Sequence, residues 1–338
     1  MDANLTKLKA DSRRDSVEFP PFLANHLPMV LVALDRLGAS PQRLEAFAQT
    51  YRMANGLVAG PTAVPRLTRD DWSAALGQRS REGELRQFFA QEVARAGGAA
   101  VIATYLPGLA RGIAGSAFHP LMRLAYAVME EDEAEIGIAL AYWAATFLPL
   151  GDEDAAPGVT ADPAEVLRLA ATLPGLAEAE PESDLLWHNM RAVAAVPSFA
   201  GVAGWLIIRD DTLDRMAAAS LALFAGTMSF EALHAVTGCH WLRYLRPVVP
   251  DMAPLLRHFW VGIASLLPKM GFPTIPTPQE IDGWRRMPCP DWVEIKARAL
   301  ASDDEHDHSL TFSALEEWRR TGDELYRVVA AKRLGLIG

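Results

Sequence analysis

Helical periodicity dominates this chain, and it constrains the fold more than any other feature. In "NHLPMVLVALDRLGA", Leu27, Val30, Leu31, Leu34 and Leu37 recur at intervals of three and four, the spacing that lines one face of an α-helix, and Gly38 follows as a stop. "SPQRLEAFAQTYRMA" then opens with Ser40 as a cap and Pro41 at the first helical position. The same spacing predicts helices from about Asp70 and about Arg81, across 120–131 and 133–149, and over 163–173, 184–195, 211–224, 229–245, 252–267 and 303–320. Strand-like alternation is nearly absent. The expected fold is all-α: a single large multi-helix bundle with long ordered loops and an interior site lined by histidines.

At 338 residues, 50% of them hydrophobic, the chain can bury a sizeable core without disulfide staples. The opening, "MDANLTKLKADSRRDSVEFPP", alternates charges and has no apolar run, so residues 1–18 read as a flexible solvated arm and not a secretory signal, leaving 19–338 as one helical domain. The acidic stretch 150–165 reads as an excursion within that domain. The proline-dense stretch 268–292, with two tryptophans, reads as an ordered loop packed over something.

Charge and motif content exclude several function classes. Lys plus Arg total 32 against 42 for Asp plus Glu, a net charge of -10, which speaks against a nucleic-acid partner. Cys239 and Cys289 have no Cys-x-x-Cys spacing and fit a reducing compartment. Apolar runs such as 137–151 stop short of the roughly 20 residues a membrane crossing needs, so a cytoplasmic protein without a membrane partner is expected. Glycine-rich dinucleotide fingerprints, phosphate loops and nucleophile elbows are all missing, so no nucleotide cofactor is indicated.

The histidines remain. His26 follows Asn25 and precedes Pro28; His119 precedes Pro120, which should make it non-helical at a helix start; Ser229 can cap the helix carrying His234; Ser302 and Glu305 have capping-box spacing ahead of His306. All four therefore belong near the positive end of a helix dipole, where the neutral imidazole, the form that binds a metal, is retained. The ordinary alternative for each is a core histidine bonded to a carbonyl. His306 and His308 lie about 200° apart around a helix, so at most one faces the core, and His234 and His240 lie about 240° apart. His258 reads as surface or outer shell, and His188 is a spare ligand. Glu231 with His234, and Asp303 with His306, have the spacing of carboxylate-bridged di-iron bundles, but the segments around His26 and His119 offer imidazoles where such a site needs further carboxylates.

Four ordered blocks, "NHLPMVLVALDRLGASPQRLEAF", "GSAFHPLMRLAYAV" with "EIGIALAYWAATFLPL", "FEALHAVTG" and "DDEHDHSLTFSAL", together resemble the questin oxidase-like family over roughly residues 20–325. That family is best known from fungal enzymes acting on anthraquinones. The resemblance implies an oxygenase, described both in Baeyer–Villiger terms and as a non-haem iron enzyme whose metal is held by histidines and a carboxylated lysine. Carried over block by block, it gives His26, His119, His234 and His306 as metal ligands and iron(II) as the most fitting ion, another divalent transition metal remaining open. The lysine does not carry over: Ser309 or Leu310 occupies its place, and Lys296, ten residues upstream of His306, has no geometric claim. Water, Glu305 or His308 would complete the sphere, with His188 and Glu231 as further ligands or outer-shell groups. Expected partners are dioxygen and a small planar phenolic or quinone-type molecule, against walls drawn from Trp187, Trp205, Trp241, Trp260 and Trp284. The rival expectation, motivated by the missing lysine, is a helical binding or scaffold protein that keeps the fold without the catalysis.

Overall fold

A computed structural model describes residues 3–62, 67–152 and 156–338. Part of the acidic excursion, residues 153–155, therefore lies outside the described residues, as do residues 1–2 of the expected arm. In chain order, α1 (Ala3–Ser12) leads through a two-strand antiparallel hairpin, β1 (Glu18–Phe19) and β2 (Leu23–Ala24), to α2 (Leu27–Leu37) and α3 (Pro41–Asn55). Next come α4 (Glu82–Ala96), α5 (Gly98–Leu109), α6 (His119–Met129), α7 (Glu133–Ala145), α8 (Pro163–Ala170), α9 (Leu186–Ala194) and α10 (Thr212–Thr227). The chain ends with α11 (Phe230–Leu245), α12 (Ala253–Ala264), α13 (Pro278–Arg285), α14 (Trp292–Leu300), α15 (Glu305–Thr321) and α16 (Leu325–Arg333). The fold is all-α.

The helices fall into two compact units. The first comprises Met1–Gly60, Ser220–His240 and Pro276–Gly338; the second comprises Pro61–Ala219 and Trp241–Ile275. In the first, α2 is buried almost all round, as a helix apolar on every side should be, and α1, α3 and α15 pack about it. Gly38 ends α2 in the left-handed conformation (φ 98°), and the Ser40 side chain accepts the Arg43 N–H to start α3, both as the sequence pattern requires. In the second unit α7 is the hub, contacted by α4, α5 and α6. Arg123 of α6 and Glu135 of α7 form a buried ion pair there, with the guanidinium Nε donating to Oε2 at 2.9 Å.

Three expectations need correction. Residues 3–12 are helical, not a flexible arm: Leu5 and Leu8, hidden among charges, recur at helical spacing and bury themselves with Leu27, Val30 and Tyr51. The stretch from Asp70 makes only short 3-10 turns at Trp72–Ala75 and Arg79–Arg81, with Gly77 (φ 73°) between them. The proline-dense stretch contains α13, because Thr277, Pro278 and Glu280 make a complete capping box at its start.

Candidate metal centre

His26 sits where β2 hands over to α2. The Asn25 side chain fixes this corner by donating to the Ser16 carbonyl at 3.0 Å and accepting the Leu27 N–H at 3.1 Å. The His26 backbone N–H donates to the Tyr51 hydroxyl at 3.0 Å, and its ring Nδ1 lies 2.9 Å from the Ala24 carbonyl oxygen. A carbonyl can only accept, so Nδ1 carries the hydrogen and the lone pair of the neutral ring is on Nε2. Burial, and then the charge of Glu305, push the Tyr51 phenol up, so it stays a neutral hydroxyl.

His234 and His306 are prepared the same way. Ser229 caps α11 by accepting the Ala232 N–H at 3.1 Å, and His234 Nδ1 is 2.8 Å from the Phe230 carbonyl oxygen. At the start of α15 the cap is Asp304, not the expected Ser302 and Glu305 box. Asp304 Oδ1 accepts both the His306 backbone N–H (2.9 Å) and its ring Nδ1 (3.1 Å), while Ser302 turns to Asp307. Burial pushes the Asp304 carboxyl up, but the two His306 hydrogen bonds and the Arg333 cation outweigh it and hold the acid at about 2. A carboxylate or carbonyl on one ring nitrogen is the arrangement that orients metal-binding imidazoles.

The first unit brings three of the expected ligands close. The His26 and His306 rings are 5.0 Å apart between centroids, and those of His234 and His306 are 6.0 Å apart. Among the described residues, one set of three has potential ligand atoms all within 4.8 Å of one another: His26, Glu305 and His306. His234 is outside this set, its ring meeting that of His306 at 6.0 Å between centroids. Glu305 Oε1 is 3.8 Å from His26 Nδ1 and 4.0 Å from His306 Nδ1, on the protonated side of both rings. Both separations exceed a hydrogen bond, and each Nδ1 is engaged elsewhere, by the Ala24 carbonyl and by Asp304. Neutral nitrogen donors of borderline softness, held by oxygen acceptors at the back, suit a divalent transition metal. A set with a single carboxylate does not match a carboxylate-bridged di-iron site, and Glu231 is not in it.

Other expected residues are placed differently. His119 lies in the second unit and is itself helical (φ -63°) in spite of Pro120; the break falls earlier, where Ser116, Ala117 and Phe118 all take left-handed φ of 46°, 54° and 69°. His119 Nδ1 donates to the Ser116 carbonyl, and the Ser116 hydroxyl pairs with that of Tyr142 at 2.6 Å. Gly115 lets this strained turn approach Thr146, whose carbonyl oxygen a Cβ would strike. His188, also in the second unit, pairs through Nδ1 with the Ser183 hydroxyl at 2.7 Å; burial depresses its basicity. His308 is the histidine of α15 that faces the core, edge-on to Phe47 with ring centroids 5.2 Å apart, and is not in the ligand set. His258 is buried, not a surface residue, and His234 and His240 are both buried although far apart around α11, because that helix is enclosed on more than one side.

The tryptophans divide between buried and half-buried positions. Trp260 is buried with its indole N–H donating to the Pro163 carbonyl at 2.9 Å, and Trp241 is buried too. Trp187 carries the guanidinium of Arg79 4.3 Å above its ring. Trp205 and Trp284 are half-buried, and Trp284 closes on Gly226. The sequence pattern did not single out Phe230, which lies edge-on to both His234 and His306 with centroids 4.8 Å away in each case, and is half-exposed. Its place four residues before His234 was the available signal. Nor did it single out Asp304, two residues before His306.

An all-helical protein with tautomer-fixed imidazoles at its helix starts is the class that these features define. The chain belongs to the questin oxidase-like family, whose model matches residues 23–311. No curated protein matches it. Family membership supports an oxidase- or oxygenase-type function on aromatic substrates. Among the described residues no helix is long and apolar enough to cross a membrane.

Proposed function

We propose that the protein is a non-haem iron-dependent oxygenase acting on a planar phenolic or quinone-type substrate with dioxygen. His26, His234 and His306 would hold the metal through Nε2, with Asp304 orienting the His306 ring from behind and Glu305 within reach as a further ligand. When bound, iron(II) supplies a redox-active centre at which dioxygen is activated. The observation that carries the reading is the shared preparation of the three imidazoles: each presents Nδ1 to an oxygen acceptor, so each keeps its lone pair on the other nitrogen.

The rest of the chemistry belongs to the chain itself. Phe230 offers an aromatic edge beside two of the imidazoles, against which a flat ring can lie. Tyr51, kept neutral, holds the His26 backbone and does not compete as an anion. Ser309 or Leu310 in place of the family's lysine favours the second reading, a fold-retaining binding protein without turnover.

Oxygen uptake by the iron-loaded protein with a hydroxyanthraquinone separates the two. Substrate-dependent uptake that His234→Ala and His306→Ala abolish supports the oxygenase. Tight binding of the anthraquinone without uptake, unaffected by iron, supports the binding protein. His119→Ala is assayed as a separate variant, because its ring is tautomer-fixed in the same manner.

A further inference from the structure

Down one face of α15, behind the imidazole cluster, the first unit buries polar groups that its protein atoms do not satisfy. His306, Ser313 and Glu317 fall within about 20° of one line along the helix, and Ser309 within about 60°, the whole track running about 16 Å. Ser309 and Ser313 are buried, and among the described residues their hydroxyls have no hydrogen-bond partner. A buried helical hydroxyl normally settles on its own preceding carbonyl, as Thr237 Oγ1 does on that of Leu233 at 3.2 Å. These two serines do not, although leaving such a group dry costs about 1–3 kcal/mol each.

The far end of the track is a titratable pair. His240 Nδ1 stands 3.7 Å from Glu317 Oε1, both side chains are buried, and the His240 ring meets Phe312 edge-on at 5.4 Å. Arg320, more exposed, pairs with the same carboxylate at 2.9 Å and marks the way out to solvent. Residues 230–240 of α11 run alongside α15 in the same direction, because His234 meets His306 and His240 meets Phe312 and Glu317 further along. The serines stand one turn apart, about 6 Å of rise, a gap that a single water spans with hydrogen bonds to both.

We infer that Ser309 and Ser313 line a chain of buried waters that carries a proton from a hydroxyaromatic substrate at the imidazole cluster to the His240–Glu317 pair. The inference rests on the proposed oxygenase reading for its proton source. The phenolic O–H bond breaks and leaves a phenolate at the cluster; each water or serine oxygen accepts one proton and passes one on. The proton ends on the His240 imidazole, whose positive charge the Glu317 carboxylate balances, and it later leaves to solvent past Arg320. No electrons change hands in this transfer. His240 is thus a relay group remote from the metal, and the serines position its water.

Two variants, Ser309→Ala/Ser313→Ala and His240→Gln, test this with three readouts. In oxygen uptake with a hydroxyanthraquinone, each should lower kcat at least about tenfold while KM stays within about twofold and iron content is unchanged. Unchanged kcat in both variants overturns the relay. The other two readouts need no activity. In the metal-free protein, the serine double variant should have an unchanged or lower Tm, because it loses the anchors of the bound waters. A raised Tm means that the hydroxyls were dry and unsatisfied, and overturns the inference. A high-resolution crystal structure should show ordered waters within hydrogen-bond distance of both serine hydroxyls; an empty, apolar gap overturns it. If the wild-type protein neither holds iron nor consumes oxygen, the oxygenase reading and the relay fall together, and the Tm and the ordered waters still decide whether the track is hydrated.

Discussion

Glu92 in the second unit and the buried face of α15 in the first handle polar burial in opposite ways. Glu92 is buried and fully engaged: Arg69 donates to it at 3.0 and 3.1 Å, Arg95 at 2.9 Å and the Tyr105 hydroxyl at 2.8 Å. Along α15, His308, Ser309 and Ser313 are buried without any hydrogen-bond partner among the described residues. A satisfied network stiffens a fold and asks for nothing more. Unsatisfied groups cost stability; Ser309 and Ser313 lie within about 60° of His306 around α15, whereas His308 lies about 200° from it. The second unit also buries unsatisfied atoms, among them the indole N–H groups of Trp143 and Trp241 among the described residues, so the contrast lies between Glu92 and the serines of α15 and not between whole units.

The contrast can be broken most forcefully in the second unit. Glu135→Ala leaves the Arg123 guanidinium buried without its carboxylate, and should cost about 3–5 kcal/mol in chemical denaturation. A loss under about 1 kcal/mol would mean that water reaches the pair.

Acid should separate the units next. Burial, and then the nearby Arg43 cation, lower His308 to about 4, below its ordinary 6.5. The unfolded chain therefore binds this proton more readily than the folded one, and stability falls as the pH drops from about 6.5 to about 4, by up to about 3 kcal/mol. The Arg95 hydrogen bond leads the interactions that lower Glu92 from 4.5 to about 2. Its contribution is whole above pH 4.5 and is lost only as the pH falls towards 2; allowing for the exposure of its arginine partners, it amounts to about 1–2 kcal/mol. Hydrogen exchange across a pH series should show α15 loosening before α4, and His308→Phe should remove the earlier step. Simultaneous loosening would contradict the assignment.

A smaller effect sharpens the role of the groups behind the rings. Asp304→Asn keeps the cap but removes the charge facing His306, and should weaken metal binding about 10- to 100-fold with little change in Tm. Equal affinity by metal titration would make Asp304 a cap and nothing more. The smallest effect is expected at α13, where Thr277→Ala opens the capping box for about 1 kcal/mol and leaves metal binding untouched.

Much of this was legible before any coordinates, but unevenly. The helix-start placement of His26, His234 and His306 followed from proline, asparagine and serine signals, and the structure puts all three at helix starts of one unit. The exact cap of α15 did not follow, because "SDDEH" offers three oxygen-bearing side chains in a row and only the backbone geometry chooses Asp304. α1 was missed because two leucines in a charged decapeptide give too little periodicity to register, and their value appears only when Leu27 and Tyr51 lie beneath them. α5, "GAAVIATYLPGL", lacks a polar face and carries Pro107, so neither amphipathic spacing nor breaker rules identify it. Of the four boundaries between the units, those near Ser220 and His240 left no mark in composition, since they fall inside continuous helices, α10 and α11, whereas the one at Ile275 lies in the proline-dense stretch.

Metal stoichiometry of the purified, iron-reconstituted protein bears most directly on the three imidazoles. About one iron per chain should be retained after desalting, and His26→Ala, His234→Ala and His306→Ala should each lose it while keeping the wild-type circular dichroism. A wild-type chain that emerges metal-free, or variants that retain iron at the wild-type level, would contradict a metal centre built on these residues.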